Sequence, residues 1–313
     1  MLNRRELHRY GAALAALPVV GMAAMLSAPA LAQGPASGTA PRTVKFPNGT
    51  VVPALGQGSA RLGQGRRPPT EEEEALRAGV SLGMTLIDTA ELYGNGSAER
   101  SISRVIAGQR ERVFLVSKVW PTHVAGDGIA RACAASLARL GTDYVDLYLL
   151  HWPQGVTDLG HVVREFENLR TAGKIRAWGV SNFSVRQMEN LLRVPQGDRC
   201  VTNQVLYNLA DRGVERDLLP WCERHAMPIM AYTPLGGSDS GLLRDATLAD
   251  IGKVHGCSAA AVALAWAIRS GMVIAIPESG SAAHVKENAV ALSLTLTPQE
   301  LETLDKKYPL RGR

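Results

Sequence analysis

The 313 residues carry 34 basic and 29 acidic side chains, for a formal charge of +5, and 46% of them are hydrophobic. The basic residues are scattered, which argues against a nucleic-acid-binding face, and no internal stretch is long and apolar enough to span a bilayer. The apolar fraction is ample for one large core.

The first residues read as a segment apart from the fold. Asn3-Arg4-Arg5-Glu6-Leu7 precedes a weakly hydrophobic, Gly- and Ala-rich run over 11–26. Ala30-Leu31-Ala32 then fits a small-residue cleavage site before Gln33. The Arg pair and the weak apolar run resemble a twin-arginine export signal, with an ordinary secretory signal or a retained anchor as the alternatives. Residues 1–32 are therefore expected to be a signal peptide cleaved after Ala32, 33–42 a flexible tether and 43–313 the folded domain. The expected destination is the periplasm, with no stable membrane anchor after cleavage, since no Cys follows the apolar run. Cys133, Cys200, Cys222 and Cys257 form no CxxC pair and read as buried free thiols, though the sequence leaves pairing open.

Residues 43–52 read as a hairpin turning at Asn48-Gly49. Strand-like runs follow at 54–55, 85–87, 114–117, 145–150, 175–180, 201–203, 229–231 and 273–276. Thr70 before four glutamates marks a helix start. Further helical patterns cover 126–140, 158–172, 184–193, 213–225, 247–255, 258–270, 281–290 and 298–307. Eight alternations of strand and helix predict a closed parallel (β/α)8 TIM barrel, preceded by the hairpin. Three runs end on ionisable residues: Asp88, with Tyr93 five positions on, then Lys118, then His151. In such a barrel, polar residues at the C-terminal ends of strands read as catalytic.

These residues carry a resemblance. DTAELYGNG (88–96), LGTDYVDLYLLHWP (140–153), GVSNFS (179–184), TNQVLYN (202–208) and AYTPLG (231–236) are similar to segments of the aldo-keto reductases, in that family's order, over about 43–308. The resemblance implies NAD(P)H-dependent reduction of aldehydes or ketones to alcohols, with Asp88, Tyr93, Lys118 and His151 as the catalytic tetrad and the hairpin plugging the barrel bottom. Tyr93 is the expected proton donor. Lys118 is expected to lower its pKa, Asp88 to hold Lys118 charged, and His151 to orient the substrate oxygen. No metal is required. The absence of a GxGxxG run argues against a Rossmann domain.

The family pattern also implies the coenzyme contacts. Ser181, Asn182 and Gln204 would hold the nicotinamide carboxamide, Tyr232 would stack on its ring, and Gly58 and Ser59 would line the ribose. Pro234 and Leu235 belong to the same wall, and Glu287 and Asn288 match positions that meet the adenine. The segment IPESGSAAHVKEN (276–288) departs from the pattern: Glu278 and His284 stand where many members carry a Lys and an Arg that grip the 2′-phosphate. Ser279 offers a neutral phosphate contact. The cofactor is thus NADP(H) or NAD(H), with the preference left open. Trp120, Trp152 and Leu92 are candidates for the substrate pocket. A short loop at 236–240 and a chain that ends soon after its last helix predict an open pocket and broad carbonyl specificity. The family suggests a monomer. A cofactor-binding sensor on the same barrel, with slow or no turnover, is the alternative. A glycosidase would need a second carboxylate opposite Asp88, and none is convincing.

Overall fold

The computed structural model describes residues 41–237 and 240–310. The expected signal peptide, its cleavage site and all but the last two residues of the expected tether lie outside the described residues. Arg42, the last tether residue, is held in place: its N–H donates to Leu292 O at 3.1 Å, and Nη2 donates to Thr295 Oγ1 at 3.0 Å.

The hairpin forms as β1 (Thr43–Lys45) and β2 (Val51–Pro53), with Val44 opposite Val52. Asn48 Oδ1 accepts the Thr50 N–H across the turn, and Gly49 takes φ 88° there. Val44, Phe46 and Val52 are buried. Phe46 stacks on Phe114 at 5.9 Å, and Phe114 opens a barrel strand, so the hairpin closes the N-terminal end of the barrel.

Eight strands follow: β3 (Gln57–Gly58), β4 (Leu86–Asp88), β5 (Phe114–Val119), β6 (Val145–Leu150), β7 (Ile175–Ser181), β8 (Asn203–Leu206), β9 (Ile229–Tyr232) and β10 (Val273–Ala275). Each pairs in parallel with its neighbours in chain order. The bridges Leu55↔Ala275 and Gly58↔Glu278 join the last strand back to the first. The predicted (β/α)8 barrel is therefore the observed one. Its strands are apolar on both faces because side chains fill the interior and helices cover the outside.

Two strands differ in position from the sequence reading. The first lies at Gln57–Gly58 instead of 54–55, with Leu55 making only a bridge. The eighth-numbered strand begins at Asn203, where the reading expected it to end. Both carry polar residues toward the mouth, which an apolar-run criterion passes over.

Helices α1 (Pro69–Ser81), α2 (Ser97–Ile106), α3 (Gly128–Leu140), α4 (Leu159–Thr171), α5 (Val185–Leu192), α6 (Leu218–Arg224), α7 (Ala246–His255), α8 (Ala259–Ala267), α9 (Ala282–Ala289) and α10 (Pro298–Lys307) surround the strands. Thr70 does not cap α1: the helix starts one residue earlier, with Pro69 in its first turn, where a missing N–H costs nothing. The expected helix over 213–225 splits into a 3₁₀ turn, Gly213–Glu215, and α6. The sequence pattern does not mark α2 as a helix. Its buried Ala98, Ile102, Val105 and Ile106 follow helical spacing, but the turn-rich YGNG before it hid the start. The four cysteines are free, three of them buried, and burial pushes Cys133, Cys200 and Cys222 up to about 12. The three buried thiols are inert packing residues in this state.

Candidate active site

Asp88 closes β4, Lys118 lies on β5 and His151 follows β6 directly. Parallel pairing brings these strand ends to one mouth. Tyr93 reaches the same mouth through a tight turn, Tyr93–Gly96, in which Gly94, Asn95 and Gly96 all take positive φ. Gly96 also has no room for a side chain: a Cβ there would meet Arg139 Cδ at 2.4 Å.

The centre of the site is the Lys118 ammonium, which is fully buried. Nζ donates to Asp88 Oδ2 at 2.7 Å, to Thr89 O at 2.8 Å and to Tyr93 Oη at 3.2 Å. Burial pushes the Lys118 pKa down, but Asp88 and Tyr93 together raise it above its ordinary value. The lysine therefore stays charged, as the sequence reading expected. For Tyr93 the expected effect of Lys118 is present but outweighed. Burial pushes its phenol up, and the Lys118 ammonium offsets only part of that, so the net pKa lies above 10.0. The phenol is thus protonated at neutral pH.

His151 is buried, and neither ring nitrogen has a hydrogen-bond partner among the described residues; Nδ1 is sealed from solvent. Burial, and next the Lys118 charge, push its pKa down to about 3. A neutral imidazole stands between two aromatic edges: Tyr93 at 5.6 Å and Trp120 at 5.2 Å. The Trp120 backbone N–H donates to Glu91 Oε1 at 2.7 Å, which fixes the main chain where the indole departs.

A cavity of about 640 Å³ opens from this centre. Asp88, Tyr93, His151 and Trp152 line one end, and Ser181, Asn182, Gln204 and Tyr232 line its wall. Ser181 Oγ donates to Gln204 O at 2.8 Å, and Asn182 Nδ2 donates to Ser181 Oγ at 2.9 Å. Tyr232 Oη donates to Asn182 Oδ1 at 3.0 Å. Gln204 Nε2 is committed to Asp88 Oδ1 at 2.8 Å, which leaves its Oε1 for a ligand N–H. Asn182 (φ 63°) and Thr233 (φ 52°) are both left-handed without being glycine, a strain that clusters at functional sites. This connected set of amide and hydroxyl groups beside an aromatic ring fits a flat carboxamide-bearing ring, so the residues present fit a nicotinamide.

Other predicted residues fall in several places. Gly58, Ser59, Pro234, Leu235 and Glu278 line the same cavity. Ser59 Oγ, however, donates to Asp88 O at 2.8 Å, so it braces β4 from within the wall. Gly58 has no space for a Cβ, which would meet Ile276 O at 2.9 Å. Glu278 Oε2 accepts the Arg61 N–H at 2.8 Å, and burial raises its pKa. Ser279, His284, Glu287 and Asn288 lie outside the cavity lining, with His284 and Glu287 exposed and Asn288 buried. Leu92 (44% exposed) and Trp120 also lie outside it; Trp120 reaches the site only through His151. The loop after β9 is longer than expected. Residues 233–237 and 240–244 both line the cavity, with Leu242 buried against it. The sequence points to Pro234 and Leu235 here but not to Thr233 or 241–244, nor to Ala60 and Arg61, whose only sequence signal is that they follow Gly58-Ser59.

A parallel barrel whose strand ends gather a buried Lys–Asp pair, a tyrosine and a neutral histidine beside an amide-lined cavity defines a carbonyl oxidoreductase that uses a nicotinamide coenzyme. A model of the aldo/keto reductase family matches residues 54–309, and the chain belongs to that family. The methylglyoxal reductase of Escherichia coli K12 is 48% identical over 271 residues, covering 86% of this chain and 95% of that protein. The glyoxal reductase of Bacillus subtilis is 33% identical over 263 residues, with 84% and 91% covered. Among solved structures, an aldo/keto reductase from Klebsiella pneumoniae in complex with NADP and acetate superposes with a TM-score of 0.84 at 45% identity, covering 88% of this chain and 98% of that one. This protein is an NAD(P)H-dependent oxidoreductase that reduces aldehydes or ketones to alcohols.

Proposed function

We propose that the protein reduces small aldehydes, α-oxoaldehydes of the methylglyoxal type among them, with NADPH as the preferred coenzyme and Tyr93 as the proton donor. The observation that carries the catalytic assignment is the Lys118 ammonium, held by Asp88 and Thr89 and touching Tyr93 Oη. The coenzyme and substrate class rest on similarity to the methylglyoxal reductase and the NADP-bound structure.

When bound, the reduced nicotinamide supplies the hydride to the carbonyl carbon. The carbonyl oxygen takes its proton from Tyr93 Oη. The tyrosinate left behind sits against the Lys118 ammonium, whose charge Asp88 maintains. Neutral His151 retains one ring N–H, which donates to the carbonyl oxygen and stabilises charge that builds there. Burial raises the Tyr93 pKa, and the Lys118 ammonium works against that by favouring the tyrosinate that forms when the proton leaves. Asn182 and Oε1 of Gln204 would hold the nicotinamide carboxamide.

Steady-state turnover of methylglyoxal and a simple aromatic aldehyde with NADPH and NADH, with Tyr93→Phe as control, tests the reading. Turnover that collapses in the variant supports it. Coenzyme binding without turnover in the wild type points instead to the sensor role.

We also propose export through a twin-arginine signal cleaved after Ala32, giving a periplasmic, monomeric protein. The support is Asn3-Arg4-Arg5-Glu6-Leu7 and Ala30-Leu31-Ala32. Fractionation of cells expressing the chain and its Arg4→Lys/Arg5→Lys variant, with the mature N-terminus sequenced and the mass measured in solution, decides this. Wild-type protein confined to the cytoplasm at full length would refute it.

A further inference from the structure

The main cavity does not end at Glu278. Arg61 and Glu278 also line a second cavity of about 600 Å³, whose other walls include Arg66, Arg67, Glu72 and Gly280. A dinucleotide with its reactive ring at Tyr93 that runs past Glu278 would bring its far end to this second cavity. The three arginines all come from the loop between β3 and α1.

The charges there are unevenly used. Glu278 accepts the Arg61 N–H at 2.8 Å and lies in the field of Arg61 and Arg66, so its charge is turned toward that loop. Glu72 is buried and accepts the Gly63 N–H at 2.7 Å. Both acids thus hold the loop's backbone in place. The Arg66 guanidinium has no hydrogen bond or ion pair among the described residues, and Arg67 has only an exposed contact with Glu71 at 3.6 Å. Arg67 lies directly over Gly280, where an added Cβ would meet its Cδ at 2.8 Å. The loop arginines are thus packed against the segment that begins at Glu278. Two guanidinium groups beside a cavity, with little else to bind, suit a phosphomonoester, which they meet with paired N–H donors.

We propose that Arg66 and Arg67 form a phosphomonoester site that selects the 2′-phosphate of the coenzyme, a task for which position 278 offers no cation. This rests on the NADPH reading above. Glu278 and Glu72 act as anchors of the loop, and Arg61 stands at the junction of the two cavities.

The test uses the full chain, adenosine 2′,5′-bisphosphate and 5′-AMP, with calorimetry as readout. The two probes differ only in the 2′-phosphate. The wild type is expected to bind the bisphosphate at least about tenfold more tightly, in a salt-sensitive way. In Arg66→Ala/Arg67→Ala that ratio falls toward one, while 5′-AMP affinity, which also reports folding, stays within about twofold. A wild-type ratio that survives in the double variant overturns the arginine site and leaves the NADPH reading intact. A wild-type ratio near one overturns both. An equal loss of both probes assigns the arginines to the 5′-phosphate and overturns the proposal.

Discussion

Gln204 on β8 donates its side-chain amide to Asp88 Oδ1 at 2.8 Å, while Asp88 Oδ2 holds Lys118. One carboxylate thus links the wall of the coenzyme cavity to the proton-transfer centre. Gln204→Leu removes a hydrogen bond to a buried charge, and a loss of about 1.5–3 kcal/mol in the stability of the coenzyme-free protein is expected. Urea unfolding measures it. A change below about 0.5 kcal/mol would show that the amide is not needed to satisfy Asp88.

Tyr93→Phe keeps the ring and its edge contact with His151 but removes the only hydroxyl on Lys118 Nζ. The turnover number is expected to fall by about 10²–10⁴, with coenzyme affinity within a few fold. Single-turnover absorbance separates the two quantities. Retained turnover would move the proton donor elsewhere.

Lys118→Met leaves the Asp88 carboxylate buried with its countercharge gone. Breaking such a pair from one side costs about 3–5 kcal/mol. Asp88→Asn/Lys118→Met should lose less than the sum of the single changes, because neither charge is then stranded. Strict additivity in a double-mutant cycle would contradict the coupling read from the 2.7 Å contact.

His151 makes a pH prediction. Its folded-state pKa is pushed down to about 3 from 6.5. As pH falls below 6.5 the unfolded chain takes up a proton that the folded chain refuses. Stability from this residue is therefore complete above 6.5 and declines toward pH 3, by up to about 1.4 kcal/mol per pH unit. His151→Gln should flatten the acid limb of the unfolding profile by that slope. Parallel profiles would show that His151 is charged or accessible in the fold.

Trp152 lines the cavity, whereas Trp120 lies outside its lining and meets His151 edge-on at 5.2 Å. Trp152→Ala should shift KM among aldehydes of different bulk with little change in kcat, while Trp120→Ala should lower kcat across the same panel. Matching effects of the two variants would argue against separate roles.

Much of this site was legible in the sequence because strand-end residues announce themselves. An apolar run that stops on Asp88, Lys118 or His151 is a local pattern, and parallel pairing in chain order carries it to one mouth without further information. Tyr93 was legible through its fixed spacing from Asp88. The coenzyme wall was legible at Ser181, Asn182, Gln204 and Tyr232, where turn chemistry and strand ends coincide. Arg61, Ala60 and 240–244 were not, because a residue in a loop shows its direction only once the neighbouring elements are packed. The α2 helix escaped for a related reason: its start lies in a turn whose three positive φ values look like loop chemistry.

The sequence by itself determined the eightfold strand–helix alternation, the identity of the four residues at the mouth and the membership of the chain in its family. The alternation follows from periodicity, and the four residues and the family follow from ordered motifs that resemble the family's, all of them properties of neighbouring residues. Only the tertiary structure decided the electrostatics. Lys118 lowers the Tyr93 pKa, but burial raises it further, so the net shift is upward. Whether Glu278 repels a phosphate depends on what it faces, and it faces the arginine loop. Charge interactions depend on distance and local dielectric, and the fold sets both by bringing together residues far apart in the chain.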